Sequence, residues 1–575
     1  MAASITETPN ELTRDIDLTT PVEFLRVLRQ TDAQIFNGYL AFPGFFDEVV
    51  IEKIADAVEQ TRELIYSKTK SVIILSGAGT SGRLSMLAAK TCNQILDKKN
   101  LKNTRFVYLI AGDNKALIAA QEGSEDDARQ SIIDLEKAIG NAKSVGYIGI
   151  TCGFSAPYVA GQLDYMLNKL ETKKLKGYAG LIGFNPVERS RSVPIEGWDK
   201  TFMQVAKHLE ASKFGIILNP IVGPEPITGS TRMKSGSATK ILLDIVFQLA
   251  LDKKQKDLPG AIRQMIKHFE ETRIAVYRDS QSLAEVIAAA GNALTSKGHI
   301  YYLGKAPWSI LSLVDASECP PTFGASFEDV RGFVEGGWNT LLGKGQDLSS
   351  LGDIYRVGVD EFIKTKLPKL TENDIVILLG EGEPSKILNQ KPVKGWDYVK
   401  LFKQAKKSGA TTAMIAIQSK ASDKAIKKNP ACDLLVSPVI PYNSFCKELG
   451  TKLMLNAITT GAHILAGKIY QNRMIDMKIS NNKLYFRTIQ IIASIMRVSE
   501  DTARTCMLKS IYETDKLTEQ IESLPVSTHI QNATSKTKVV PRALLMATGK
   551  FDYYESSDAI TKEPIIRHII QKWVG

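Results

Sequence analysis

Residues 71–83 read SVIILSGAGTSGR, an apolar, β-branched run at 71–76 followed by Gly77-Ala78-Gly79-Thr80-Ser81-Gly82-Arg83. A short apolar run closed by glycines predicts a buried strand, and a helix is expected from about Leu84. Strand, glycine-rich turn and helix in that order outline an anion cradle. Glycines let the backbone approach an anion, Thr80 and Ser81 add hydroxyl donors, and the helix start offers free N–H groups with a favourable dipole. No Lys follows the last Gly as GxxxxGK[ST] requires, and the spacing departs from GxGxxG, so a nucleotide is not the expected anion. On the glycines alone, a turn that only tightens strand–helix packing is an equal reading.

Outward from this segment, short apolar runs alternate with longer helical patterns. Strands are expected at 106–111, 145–151, 177–184 and 214–218, and a second series at 299–303, 374–379, 412–417 and 433–437. That alternation predicts an α/β protein with parallel sheets covered by helices. The segment KSGSATKILLDIVFQLA from Lys234 parallels KELGTKLMLNAITTGAH from Lys447, which indicates an internal duplication. The expected division is a helical arm over 1–45 packed on the first half, a first α/β domain over 46–256, a second over 257–481, and a helical cap over 482–575. The amphipathic stretch 258–294 carries the chain between the halves.

A length of 575 residues excludes a lone binding module, and 44% hydrophobic with 23% charged residues excludes wholesale disorder. Mean hydropathy is -0.09, and no apolar run approaches the roughly 20 residues needed to cross a bilayer, so no membrane contact is expected. The formal net charge of +11 favours anionic ligands. The Lys-rich stretches 98–102 and 403–407 read as solvated helix ends, and no nucleic-acid partner is expected. Six cysteines without a CxxC pair or a nearby His at metal spacing argue against zinc and for a reducing, cytoplasmic setting, and no metal or other cofactor is expected. The start, MAASITETPNELTRDID, carries no apolar export signal.

Two further loops sit at strand ends, the side where ligands bind in open α/β sheets. Thr151-Cys152-Gly153-Phe154-Ser155 follows the third strand, and Thr228-Gly229-Ser230-Thr231-Arg232-Met233-Lys234 follows the fifth. Hydroxyl-rich, metal-free loops suit a phosphorylated small molecule held by neutral donors and a little positive charge, although Ser230 and Thr231 would also serve as plain helix caps with Lys234 solvated. Glu122 and Glu125 are spaced to point together, for sugar hydroxyls or proton transfer, or simply as an acidic helix start. Lys483 and Arg487 stand four residues apart, so both could meet one anion, but on spacing alone a solvated basic face is preferred.

The blocks GAGTSGRL, EGSED, GFSAPYVAGQ, NPIVGPEPITGSTRMKSGSATK, FGASFEDVRGF, TTGAHILAGKIYQNRMIDMKISNNKL and RTIQ resemble the sugar isomerase (SIS) superfamily. Across nearly the whole chain they resemble the glucokinase regulatory protein family, tandem SIS proteins with a helical cap. Each half is more distantly similar to N-acetylmuramic acid 6-phosphate etherases. The first resemblance implies a phosphosugar-binding protein sensing fructose 6-phosphate- or fructose 1-phosphate-type ligands and inhibiting a glucokinase- or hexokinase-type partner, in the cytoplasm or the nucleus. It implies ligand contacts from Gly79, Thr80, Ser81, Glu125, Thr151, Gly153, Ser155, Ser230 and Thr231. It also brings Lys483 and Arg487 to the ligand from the cap, reversing the preference for a solvated face.

The etherase resemblance separates the alternatives. Its acid/base glutamate lies in a DASECPPTFG segment, where the first half has Thr91 in Ala88-Ala89-Lys90-Thr91-Cys92-Asn93-Gln94. The second half keeps Glu318 in Asp315-Ala316-Ser317-Glu318-Cys319-Pro320-Pro321-Thr322-Phe323-Gly324, but its upstream loop is Gly304-Lys305-Ala306-Pro307-Trp308-Ser309. Each half keeps what the other has lost, as expected of a duplicated dimer reduced to one pocket in a monomeric chain. A binding protein is therefore favoured over an etherase-like lyase, in which Glu125 and Glu318 would be the catalytic residues. A tandem-SIS aminosugar synthase is not expected, because the sequence starts Met1-Ala2-Ala3 and shows no glutaminase domain with an N-terminal nucleophilic Cys.

Overall fold

The computed structural model describes residues 4–121, 123–194, 198–420, 432–479 and 482–573, with Asn482 and Lys483 described by their backbone alone. In the first half, β1 (Ser71–Gly77), β2 (Thr104–Ile110), β3 (Ser144–Ile150), β4 (Lys176–Ile182) and β5 (Gly215–Leu218) form a sheet in the order β2-β1-β3-β4-β5, every pairing parallel. In the second, β6 (Ile300–Gly304), β7 (Val330–Val334), β8 (Ile375–Glu381), β9 (Thr411–Ile417) and β10 (Leu434–Val436) are ordered β10-β9-β8-β6-β7, again all parallel. From its other edge the second sheet has the same sequence of crossovers as the first. The duplication legible in the paired helical segments is thus repeated in the topology.

Strand β7 is not among the strands expected from sequence. Its run VRGFV is broken by Arg331, which is 4% exposed and spends its guanidinium on Glu328 and on the carbonyls of Asp353 and Arg356. A second difference lies beside β1, where the helix begins at Gly79 and not at Leu84. The N–H groups of Ser81 and Gly82 turn back to the Ala78 carbonyl, so Thr80 and Ser81 stand in the first turn. Close packing and the turn divide the glycines between them. A Cβ on Gly82 would lie 2.5 Å from Ile110, whereas Gly79 takes φ +52 at the turn itself.

Between the sheets lie the Lys234–Ala250 and Ser444–Leu465 helices, buried on nearly every side. Helices apolar all round belong in the middle of a large core. One continuous core accordingly runs from Ile73 and Leu75 of β1 to Ile377 of β8 and Ile415 of β9. The chain crosses between halves through two helices, Leu258–Val276 and Ser280–Thr295. Residues beyond 482 form helices around a separate core that includes Tyr485, Ile489, Met507 and Leu544. No helix among the described residues is long and apolar enough to cross a membrane.

The N-terminal arm differs from expectation, because it packs on both halves and not on the first alone. Its Pro21–Asn37 helix, opened by a Thr20/Glu23 capping box, lies against the two crossing helices. Asn10 donates to the Pro224 carbonyl, and Asn472 of the second half donates back to the Asn10 carbonyl. Arg567, in the C-terminal helices, pairs with Asp15 and Asp17. The arm is a strap over three regions.

Candidate functional site

The carboxyl ends of β1 and β3 lie side by side, which brings their two loops together, and the loop after β5 closes on them. Cys152 marks the meeting point. Burial pushes its thiol up to about 12, and the hydroxyls of Ser81, Thr231 and Ser235 stand around it. The Thr80 hydroxyl is buried without a hydrogen-bond partner. A buried, unpaired hydroxyl at a helix start is a donor waiting for an acceptor. Thr151 accepts at 3.4 Å from the N–H groups of both Ser155 and Ala156, fixing the second loop ahead of the next helix, and Ser155 itself is exposed. Ser230 Oγ lies 3.4 Å from Thr322 Oγ1 of the second half.

The second half contributes more than Thr322. Glu318 pairs with Arg83, and its Oε1 would lie 3.5 Å from a Cβ on Gly79. The carboxylate of the DASECPPTFG segment thus faces the intact cradle of the other half. Thr91, its counterpart on the Gly79–Lys98 helix, faces the opposite way. It lines a small cavity with Lys240, Asp244, Phe445 and Glu448. The expectation that Thr91 stands in the acid/base place of the first-half site is therefore corrected, because Glu318 of the second half stands at that cradle and Thr91 lines a different cavity.

The basic residues of the third loop are structural. Arg232 is 2% exposed and donates to Asp315 Oδ1 at 2.8 Å and to Thr460 Oγ1 at 2.6 Å, both in the second half. Lys234, read as a solvated or ligand-facing cation, is buried and donates to Gln34 Oε1 and the Pro224 carbonyl. Lys452 reaches across from the second half to the carbonyls of Arg232 and Met233 and to Ser237, and donates to Asn456 on its own helix, holding the third loop from beneath. Burial pulls both Lys234 and Lys452 down to about 8. Arg83, Cys152 and Lys452 were not among the expected site residues. Arg83 and Cys152 lie within the first two loops, which was the available signal, and Lys452 has none in the sequence.

At the corresponding place in the second half the cradle is absent. Counted from Gly77 and Gly304, which end β1 and β6, Pro307 and a buried Trp308 stand where the first half has Thr80 and Ser81. Lys240, on the first of the two paired helices, is tied up by Asp244 and Glu448 at 2.9 and 2.7 Å.

The remaining residues lie at the rim. Glu125 is exposed on the Ser124–Asp126 turn, which packs on the helix that starts after the second loop, and Glu122 lies outside the described residues. Arg487 projects from the Asn482–Met496 helix to Gly229, where its Nη2 would be 3.5 Å from a Cβ. The side chain of Lys483 lies outside the described residues.

Three family models match, described as the glucokinase regulatory protein N-terminal SIS domain at 53–167, its second SIS domain at 277–383 and its C-terminal lid domain at 471–570. The glucokinase regulatory protein of Xenopus laevis is 34% identical over 586 residues, covering 99% of this chain and 92% of the relative. The chain belongs to the glucokinase regulatory protein family. Its Homo sapiens relative is 32% identical, with 98% and 91% coverage. An N-acetylmuramic acid 6-phosphate etherase of Salmonella agona is 31% identical over 257 residues, covering 44% of this chain and 80% of the etherase. Glucokinase regulatory protein relatives therefore account for both sheets and the helical lid together, whereas the etherase accounts for less than half the chain.

Proposed function

We propose that this chain is a phosphosugar-binding regulator of a glucokinase- or hexokinase-type enzyme and not itself a catalyst. The observation that carries this reading is the buried, unpartnered Thr80 hydroxyl at a helix start where three hydroxyl-bearing loops meet. A phosphate there would take donors from Gly79, Thr80, Ser81, Thr151, Gly153, Ser155, Ser230 and Thr231. Glu125 and Glu318 would accept from sugar hydroxyls, and Lys483 and Arg487 would reach the ligand from the lid. Ligands of the fructose 6-phosphate and fructose 1-phosphate type fit this pattern. The relatives' name supplies the kinase partner, and a cytoplasmic or nuclear setting follows from such a partner. The working division is an arm over 1–45, the ligand-binding SIS domain over 46–256, a second SIS domain over 257–481 that has lost its cradle, and the lid over 482–575.

The test is a thermal-shift screen with fructose 6-phosphate, fructose 1-phosphate, sorbitol 6-phosphate and N-acetylmuramic acid 6-phosphate, followed by glucokinase assays with and without the protein. Stabilisation by a sugar phosphate and ligand-dependent kinase inhibition are expected. No stabilisation by any of the four would sink the reading. A second reading, an etherase-like lyase, is favoured by one observation only: Glu318 faces the intact cradle.

A further inference from the structure

The N-terminal arm enters the candidate site. Its first described turn is fixed by the Ile5 N–H, which donates to Asn185 Oδ1 at 3.0 Å. The hydroxyls of Ser4 and Thr6, 2.9 Å apart, stand over the second loop, where a Cβ on Gly153 would lie 3.2 and 3.0 Å from them. Glu7 stands over the third loop, its Oε2 2.9 Å from the place of a Cβ on Gly229. Gly229 has φ +77, so a side chain there would be strained as well as blocked. Arg487 shares that spot, with its Nη2 3.9 Å from Glu7 Oε2. Glu7 and Arg487 also line one open cavity with Thr228, Arg473 and Ile491.

We propose that residues 4–7 roof the phosphosugar site and that Glu7 sets its affinity, by holding Arg487 while the site is empty and competing with the ligand phosphate for it. The proposal rests on the phosphosugar reading above. A single long contact between half-exposed partners is a weak pair, readily exchanged. A phosphate offers a guanidinium two parallel bonds and more charge than a carboxylate. Once Arg487 turns to the phosphate, Glu7 is left as a like charge within a Debye length of it, an unfavourable neighbour that water and salt screen only in part. Glu7 therefore lowers the affinity of the site for anionic sugars and leaves neutral sugars unaffected.

The experiment is calorimetric titration of the full chain with fructose 6-phosphate and fructose 1-phosphate, comparing wild type, Glu7→Gln, Arg487→Ala and the double variant. Glu7→Gln is expected to tighten binding about 3- to 10-fold, Arg487→Ala to weaken it, and the gain from Glu7→Gln to fall below about 2-fold in the Arg487→Ala background. The gain should also shrink in high salt. Unchanged or weaker binding by Glu7→Gln, or an equal gain with and without Arg487, overturns the competition while leaving the phosphosugar reading intact. A wild type that binds neither sugar phosphate removes both.

Discussion

Arg83 of the first half and Glu318 of the second form an ion pair inside the molecule, with side chains 1% and 14% exposed. The same Arg83 donates through Nε to the Leu117 carbonyl, which also accepts from Ser317 of the second half. Leu117 thus ties the arginine and the glutamate segment to one point. The site is built by both halves, although only the first carries the cradle.

Exchanging Glu318 for Gln keeps the shape and removes the charge that balances a buried guanidinium. Hydrogen bonds to charged groups contribute about 1.5–3 kcal/mol each, so Glu318→Gln should lower unfolding stability by roughly 1–3 kcal/mol. Phosphosugar affinity should fall with it, because Glu318 lies at the Gly79 turn. Urea denaturation reads the first effect and calorimetry the second. An unchanged urea midpoint would mean that the pair contributes nothing.

One ligand per chain is expected, since Pro307 and Trp308 replace the hydroxyl donors in the second half. Ser81→Ala combined with Ser155→Ala should cost about 3–6 kcal/mol if each bond to a charged phosphate contributes about 1.5–3. That corresponds to roughly two to four orders of magnitude in affinity. A stoichiometry near two, or undiminished binding by the double variant, would show that the ligand sits elsewhere.

Lys452 supplies a pH test. Its folded value, pulled down to about 8 by burial, lies below the unfolded value of about 10.4, so between these limits the unfolded chain binds more protons. Stability contributed by this group therefore rises with pH from about 8 to 10. Compared with Lys452→Met, wild type should gain up to roughly 3 kcal/mol across that window, read as the difference between their unfolding free energies. A difference that stays flat would place Lys452 in a wetter setting than its contacts indicate. Lys234 acts in the same direction and is common to both proteins, so it cancels.

The two sheets are legible in the sequence because their strands are short, mostly apolar runs alternating with helical patterns, and the strand of these sheets that was not expected, Val330–Val334, hides behind Arg331. The three candidate loops are legible as well, as hydroxyl- and glycine-bearing segments at the carboxyl ends of strands. What sequence does not disclose is anything that depends on the halves meeting. Arg232 and Lys234 read as available cations, yet Asp315, Thr460 and Gln34, brought from far along the chain, consume them. The approach of Glu318 to the first-half cradle follows from the resemblance to a duplicated dimer and not from any local pattern, and Glu7 reaches Gly229 only because the arm straps both halves. Such contacts are set by packing between elements, and no local pattern encodes them.

The place of Glu318 bears on whether the site catalyses. With Glu318 at the intact cradle, the carboxylate demanded by an etherase-like reaction is present, and the absence of a carboxylate at Thr91 no longer argues against it. The argument moves to Arg83. A general acid must carry a proton to the leaving oxygen, whereas a carboxylate engaged by a buried guanidinium accepts hydrogen bonds and donates none. Glu318 is then suited to receive sugar hydroxyls. Purified protein incubated with N-acetylmuramic acid 6-phosphate should release no D-lactate above the uncatalysed rate, and general acid–base help, where present, is typically 10²- to 10⁴-fold, as an order of magnitude, well within reach of a coupled lactate assay. Lactate release that disappears in Glu318→Gln would overturn the regulatory reading and make the second half the donor of the catalytic acid. If no lactate appears while fructose 6-phosphate still raises the melting temperature, the bound sugar is a signal, and glucokinase activity at graded concentrations of that sugar phosphate shows in which direction it acts.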